Sequence, residues 1–108
     1  MHTIEWAAGL FEGEGCIYKG NQTKAPHNPY FQLTLGMTDL DVVQAFADLM
    51  DCGSVITSDR KDRGWKTMYT WRVSKTSHVR DILDKLLPHF GNRRAHKALD
   101  ILDYIECN

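Results

Sequence analysis

The sequence predicts an α+β fold in which a four-stranded antiparallel sheet carries helices on one of its faces. Three observations carry that prediction. Apolar residues recur at a period of 3.6 in several segments, they alternate with polar residues in shorter ones, and the patterns run as helix, hairpin, helix, hairpin, helix, helix. The 108 residues contain no long Pro, Ser or Gly linker, no charged tail and no shift of composition. One domain covering residues 1–108 is therefore expected.

The first helix is read over Thr3 to Glu12, where Ile4, Trp6, Ala7, Leu10 and Phe11 share a face and Thr3 can cap the first turn. It ends near Gly13 to Gly15. Strands are expected at Cys16 to Lys19 and at Tyr30 to Met37, the second because Phe31, Leu33 and Leu35 alternate with Tyr30, Gln32 and Thr34. A second helix begins at Thr38 as N-cap, carries Val42, Val43, Phe46, Leu49 and Met50, and stops at Gly53. Ser54 to Ser58 and Trp65 to Val73 form the second hairpin around a turn at Asp59 to Gly64. In its second strand Trp65, Thr67, Tyr69, Trp71 and Val73 alternate with Lys66, Met68, Thr70 and Arg72. The third helix spans about Ser77 to Leu87, with Val79, Ile82, Leu83 and Leu86 inward, and Pro88 stops it. The fourth starts at Asn92 with Ala95, Leu99, Leu102 and Ile105 inward.

Composition excludes several classes of function. No apolar run approaches the ~20 residues that span a bilayer, and no secretory signal is visible. The cysteines, Cys16, Cys52 and Cys107, are odd in number and lack CxxC pairing, which argues against a zinc site or a disulfide framework and for an intracellular, reduced setting. His2, His27, His78, His89 and His96 show no ligand spacing on a common face. Trp6, Trp65 and Trp71 are read as packing residues rather than base-stacking platforms. A formal net charge of −1 counts against a nucleic-acid partner. The charge is segregated, however. Arg60, Lys61, Arg63, Lys66 and Arg72 outnumber Asp59 and Asp62 in one stretch, while Asp39, Asp41, Asp48 and Asp51 crowd another. Local sign governs binding more than the total does. The sheet face opposite the helices, with Tyr18, Tyr30, Gln32, Thr34, Lys66, Thr70 and Arg72, is then either solvated sheet or a recognition surface.

Residues 6 to 15, WAAGLFEGEG, contain two features that need a physical cause. Gly9 and Gly13 lie four apart on an apolar helix, where each costs about 1 kcal/mol relative to Ala. Close approach of a second helix backbone would offset that cost. Glu12 and Glu14 stand at the C-terminal end of the helix, where the macrodipole disfavours anions. They are either solvated at a frayed helix end or neutralised by a cation such as Mg²⁺.

The stretch Ala7 to Gly15, AAGLFEGEG, resembles the motif of the LAGLIDADG homing endonucleases: Ala8, Gly9, Leu10 and Gly15 match it, Phe11 replaces an aliphatic, Glu12 and Glu14 replace aspartates, and Gly13 replaces alanine. DCGSV at residues 51 to 55 is similar to the family's turn into its third strand. LLPHFGNRRAHKAL at residues 86 to 99 is similar to its proline-containing turn and basic last helix. The family's αββαββα(α) order, whose sheet forms a DNA-binding saddle, agrees with the elements read above.

The resemblance implies a site-specific, double-strand DNA endonuclease of the kind encoded in introns or inteins. One motif per chain implies a homodimer, with Ala8, Gly9, Glu12 and Gly13 at the interface and a palindromic or near-palindromic target. Glu14 stands where the family places its ligand for Mg²⁺ (or Mn²⁺). Its extra methylene shifts the geometry by about 1 Å, an error that can cost ~10²-fold in rate. Arg93 takes the place of the usual catalytic lysine. As an arginine it can stabilise phosphate charge but not carry protons. Asp39 takes the place of a polar residue that orders water, although an acid at a helix start also needs no function.

The sheet would lie in the major groove. Alternation then offers Cys16, Tyr18, Gln22, Tyr30, Gln32, Thr34, Ser54, Ile56, Ser58, Lys66, Met68, Thr70 and Arg72 to the bases, with Lys24, Arg60, Lys61 and Arg63 on the loops. Gln32 suits adenine and Arg72 guanine. Two other functions stay open: a cleavage-inactive DNA- or RNA-binding protein on the same scaffold, such as a maturase or regulator, and an unrelated α+β interaction module.

Overall fold

The computed structural model describes the backbone at residues 2–22, 25–58, 64 and 66–107. Its elements follow the order α1 (Ile4–Glu14), β1 (Gly15–Gln22), β2 (Ala25–Met37), α2 (Leu40–Met50), β3 (Ser54–Ser58), β4 (Met68–Val73), α3 (Thr76–Leu86) and α4 (Asn92–Cys107), with a 3-10 turn at Leu87–His89. The strands form one antiparallel sheet in the order β1-β2-β4-β3.

Thr3 caps α1 as expected, its hydroxyl accepting from the Trp6 N–H at 3.1 Å. Hydrogen bonds from its own backbone N–H and from Thr3 hold the Glu5 carboxyl below the usual carboxylate range. At α2 the cap is Asp39 rather than Thr38, and its side chain makes no capping hydrogen bond. The helix ends at Asp51 in the left-handed region (φ 58°), and Gly53 follows at φ 89°. A Cβ at Gly53 would lie 2.6 Å from Trp71 Nε1 and 2.9 Å from the Arg72 carbonyl oxygen. The indole itself donates to the Cys52 carbonyl at 2.9 Å. DCGSV is thus a turn wrapped around a buried tryptophan. Gly53→Ala is expected to cost on the order of 1–3 kcal/mol from backbone conformation alone, read as a melting point lower by roughly 4–8 °C per kcal/mol.

The core lies between the sheet and the helices. Ile17, Phe31, Leu33, Leu35, Trp71 and Val73 come from the strands, and Ala7, Ala8, Phe11, Val43, Phe46, Met50, Val79, Ile82, Leu83, Leu86, Ala98, Ile101 and Leu102 from the helices. Every strand residue in that set falls on the face that alternation assigned to the core. The fourth helix differs from the sequence reading. Leu102 is buried and Ile105 packs against the core as read, but Ala98 and Ile101 are buried while Leu99 is 42% exposed, so the core face is shifted by part of a turn from the phase read.

Three strand boundaries also differ, the first being that of β1, which runs on past Lys19 to Gln22. β2 extends back to Ala25 through Pro26 and Pro29. Its pairing with β4 begins only at Leu33, so among the described residues the proline-bearing part pairs with β1 alone and presents its other edge to no strand. Proline is tolerated at such an edge because no ladder partner needs its missing N–H. β4 begins at Met68, which leaves Lys66 and Thr67 before the ladder rather than in it. Trp65 lies outside the described residues.

Candidate functional site

The helix α1 runs into β1 without a loop. Gly15 is both the cap, donating its N–H to the Phe11 carbonyl, and the first residue of the strand. A Cβ there would sit 2.4 Å from the Phe11 ring. That ring cannot yield, because Phe11 is fully buried and stacked at 6.1 Å from Phe46 and 6.0 Å from Phe90. Glu14, the residue before Gly15, is therefore carried between two rigid elements.

The motif's two glutamates have different surroundings. Glu12 is partly buried and points to the start of α4: its Oε1 accepts from the Gly91 backbone N–H at 2.8 Å, and its Oε2 lies 2.8 Å from Arg94 Nε. The second contact is an ion pair set off the N–H direction. Arg94 also donates from Nη2 to the Glu12 carbonyl at 3.1 Å and from Nη1 to the Gly15 carbonyl at 3.3 Å, and lies over the Phe11 ring. A cation thereby satisfies carbonyls at the C-terminal end of α1, where the macrodipole favours positive charge. Glu14 is exposed and pairs with no described cation.

Gly9 and Gly13 occupy the exposed side of α1, and a Cβ at either would meet nothing within 4 Å. Among the described residues no contact within the chain accounts for them. Ala8 and Glu12, grouped with them by the resemblance, are placed otherwise: Ala8 is fully buried in the chain's own core and Glu12 is bound to Gly91 and Arg94.

Arg93 and Lys97 join Glu12, Gly15, Cys16, Ile17 and Arg94 in lining a cleft of about 450 Å³ beside the motif. Among the described residues no carboxylate pairs with Arg93 or Lys97. Arg93 in the first turn of α4 opposes the helix dipole, and Lys97 stands one turn later beside the same cleft, so the cleft favours an incoming anion. Pairing of Gly15 with Leu35 brings the end of α1 and the exit of β2 to the same end of the sheet, and Asp39 follows two residues after β2. The three catalytic candidates thus come from elements that meet at one end of the sheet. Sequence reasoning missed Lys97 and the Glu12–Arg94 bridge. The signal was present as basic residues at a helix start opposite acidic ones at a helix end.

Residues that alternation assigned to the open sheet face share rows across the strands. Cys16, Thr34, Arg72 and Ser54 form one row across all four strands, and Gly36, Thr70 and Ile56 form the next. Tyr18 pairs with Gln32, and Met68 with Ser58. Tyr18 is 52% and Ile56 37% exposed, and Arg72 is exposed without an ion-pair partner among the described residues. Gln22 and Tyr30 lie on the β1–β2 hairpin, but their side chains are outside the described residues, as are Lys24, Arg60, Lys61 and Arg63 altogether. Among the described residues no three His, Cys, Asp or Glu side chains converge as a metal cluster, and no helix is long and apolar enough to cross a membrane.

A model of the LAGLIDADG endonuclease family matches residues 7–108. The homing endonuclease I-CvuI, solved in complex with the I-CreI target, superposes with a TM-score of 0.80 at 20% identity, covering 95% of this chain and 65% of that one. The homing endonuclease I-TnaI gives 0.75 at 17% identity over 96% and 71% of the two chains. I-GzeII in complex with its DNA target gives 0.79 at 14% identity over 98% and 36%. The chain thus spans just under two thirds of I-CvuI and little more than a third of I-GzeII. Comparison with curated proteins gives no match.

Proposed function

Since the chain belongs to the LAGLIDADG endonuclease family, we propose that it is a site-specific, divalent-metal-dependent endonuclease of double-stranded DNA, acting as a homodimer inside the cell. The observation that carries this reading is the exposed Glu14 carboxylate, fixed at the junction of α1 and β1 beside a cleft whose Arg93 and Lys97 pair with no described carboxylate. An uncompensated anion at a helix C-terminus next to cations at a helix N-terminus suits a metal ion on one side and a phosphate on the other. I-CvuI has been solved with DNA targets in the presence of Mg and of Ca, and I-GzeII with its DNA target, which supports the same substrate class here.

Glu14 fits a hard cation, since it is exposed and no described cation pairs with it. One carboxylate is too few for a complete protein site, so a second copy's Glu14 and DNA phosphate oxygens would supply the remainder. When bound, Mg²⁺ or Mn²⁺ supplies Lewis-acid stabilisation of charge on the phosphate and lowers the pKa of water. The chain's own residues do the rest. Arg93 and Lys97 hold the scissile phosphate, with Arg93 adding charge stabilisation without exchanging a proton. Asp39, whose carboxylate is not used in capping, orients water from the exit of β2. Thr34, Arg72, Ile56 and Thr70 face the base edges from adjacent rows, with Tyr18 and Gln32 farther along the hairpin.

A randomised duplex DNA library incubated with the protein and Mg²⁺, with and without EDTA, tests this by sequencing the ends produced. Cuts that need Mg²⁺ and lie symmetrically about a palindromic or near-palindromic site are the expected result. Salt-sensitive DNA binding without cuts would favour the cleavage-inactive binder, for which Glu14 in place of aspartate and Arg93 in place of lysine speak. Absence of both binding and cutting would sink the DNA reading.

A further inference from the structure

Arg94 and Glu12 hold together two parts of the chain that each carry a proposed catalytic group. The Arg94 guanidinium donates to the Glu12 and Gly15 carbonyls and forms an ion pair with Glu12 Oε2. Two of those groups belong to Glu12 and one to Gly15, so the contacts bracket Glu14 on both sides. Glu12 returns the link by accepting from the Gly91 N–H. On the other half, Arg94 is the chain neighbour of Arg93. One planar side chain therefore relates Glu14 to Arg93 across a separation of 82 positions between Glu12 and Arg94. The pair's side chains keep 24% and 37% of their exposure. The pair is part-buried, with Glu12 Oε2 itself shielded from solvent, so the link both steadies the junction and sets a distance across it.

Resting on the nuclease reading above, we infer that Arg94, anchored by Glu12, is a positioning residue for DNA cleavage: it fixes the end of α1 against the start of α4 and so sets where Glu14 stands relative to Arg93. Lysine cannot reproduce the role. Its single ammonium cannot reach two carbonyls and a carboxylate in one plane as a guanidinium fork does.

The test compares wild type, Arg94→Lys, Glu12→Gln and the double variant in three measurements: single-turnover cleavage at saturating protein, DNA affinity, and binding of Mn²⁺ in the presence of duplex DNA by electron paramagnetic resonance. Arg94→Lys is expected to slow cleavage by roughly 10–100-fold, the scale of a misplacement near 1 Å. DNA affinity should change by no more than about threefold, giving a rate loss without a binding loss. Mn²⁺ binding should weaken in Arg94→Lys protein that circular dichroism shows to be folded at the assay temperature. The double variant should be no slower than Arg94→Lys, because two residues acting through one contact are not additive. Equal losses of rate and DNA affinity, an unchanged rate, or additive effects would overturn the inference. Should Arg94→Lys not fold, Glu12→Gln decides alone, since its amide oxygen still accepts from Gly91 while the charge is lost. Should the wild type not cut DNA, the nuclease reading fails separately. The Mn²⁺ comparison still decides the positioning, supporting it if binding weakens in the variant and refuting it if binding is equal.

Discussion

Glu14→Gln is expected to lower DNA cleavage by roughly 10³-fold or more while leaving DNA binding and the fold intact. The magnitude follows from what a bound metal contributes to a phosphoryl transition state, several kcal/mol, each 1.36 kcal/mol being tenfold in rate. The amide keeps the size of the carboxylate but loses the charge that would hold a hard cation. Stability should move the other way. Glu14 is exposed at the C-terminal end of α1, where an anion opposes the helix dipole, so removing its charge stabilises by about 0.3–1 kcal/mol at low ionic strength. The variant should therefore melt at the same temperature or slightly higher, as read by circular dichroism, while a gel shift on the cognate duplex is unchanged. Glu14→Asp is the companion: it keeps the charge and shortens the arm, and should retain cleavage within about 10²-fold of wild type. A Glu14→Gln protein that cuts as fast as wild type would remove Glu14 from the mechanism.

The sheet was legible in the sequence because its two faces differ so sharply in chemistry. Leu33, Leu35, Trp71 and Val73 are buried, whereas their neighbours Thr34, Arg72 and Ser54 share a row on the other face. A slip of one residue would have moved the entire apolar set to the outside. What was not legible follows from the limits of local pattern. Pro26 and Pro29 argue against a strand unless it is known that the strand has no second neighbour there, which is a fact of topology. In α4, Ala98 is small enough to be passed over and Leu99 looks like a core residue, yet contact with α3 and β1 selects the face with Ala98 and Ile101. At the site, Glu14 and Gly15 could be read from nine contiguous residues. Glu12 could not, because its partner Arg94 lies 82 positions away. Without that contact the two glutamates look equivalent.

Gly9 and Gly13 supply the second large effect, because replacing both with leucine should abolish dimerisation while the protomer becomes more stable. Neither glycine has a positive φ, and a Cβ on either would meet nothing within 4 Å in the protomer. Each replacement therefore removes a penalty of roughly 0.5–1 kcal/mol for glycine in a helix without introducing a clash. Across a two-fold axis the outcome reverses. Side chains forced into a closely packed contact cost typically ~1–3 kcal/mol, and symmetry presents each replacement twice, so one position alone weakens association by about 10–10⁴-fold. Sedimentation velocity across a range of protein concentrations would show the wild-type dimer and the Gly9→Leu/Gly13→Leu monomer, and a melting curve at low concentration would show the monomer's gain. Cleavage should fall with the dimer, because each protomer brings one Glu14 and a double-strand break needs two. Single nicks by the monomer at low rate would fit this picture. A leucine variant that stays dimeric and cuts both strands would place the interface elsewhere and leave the two glycines without a cause.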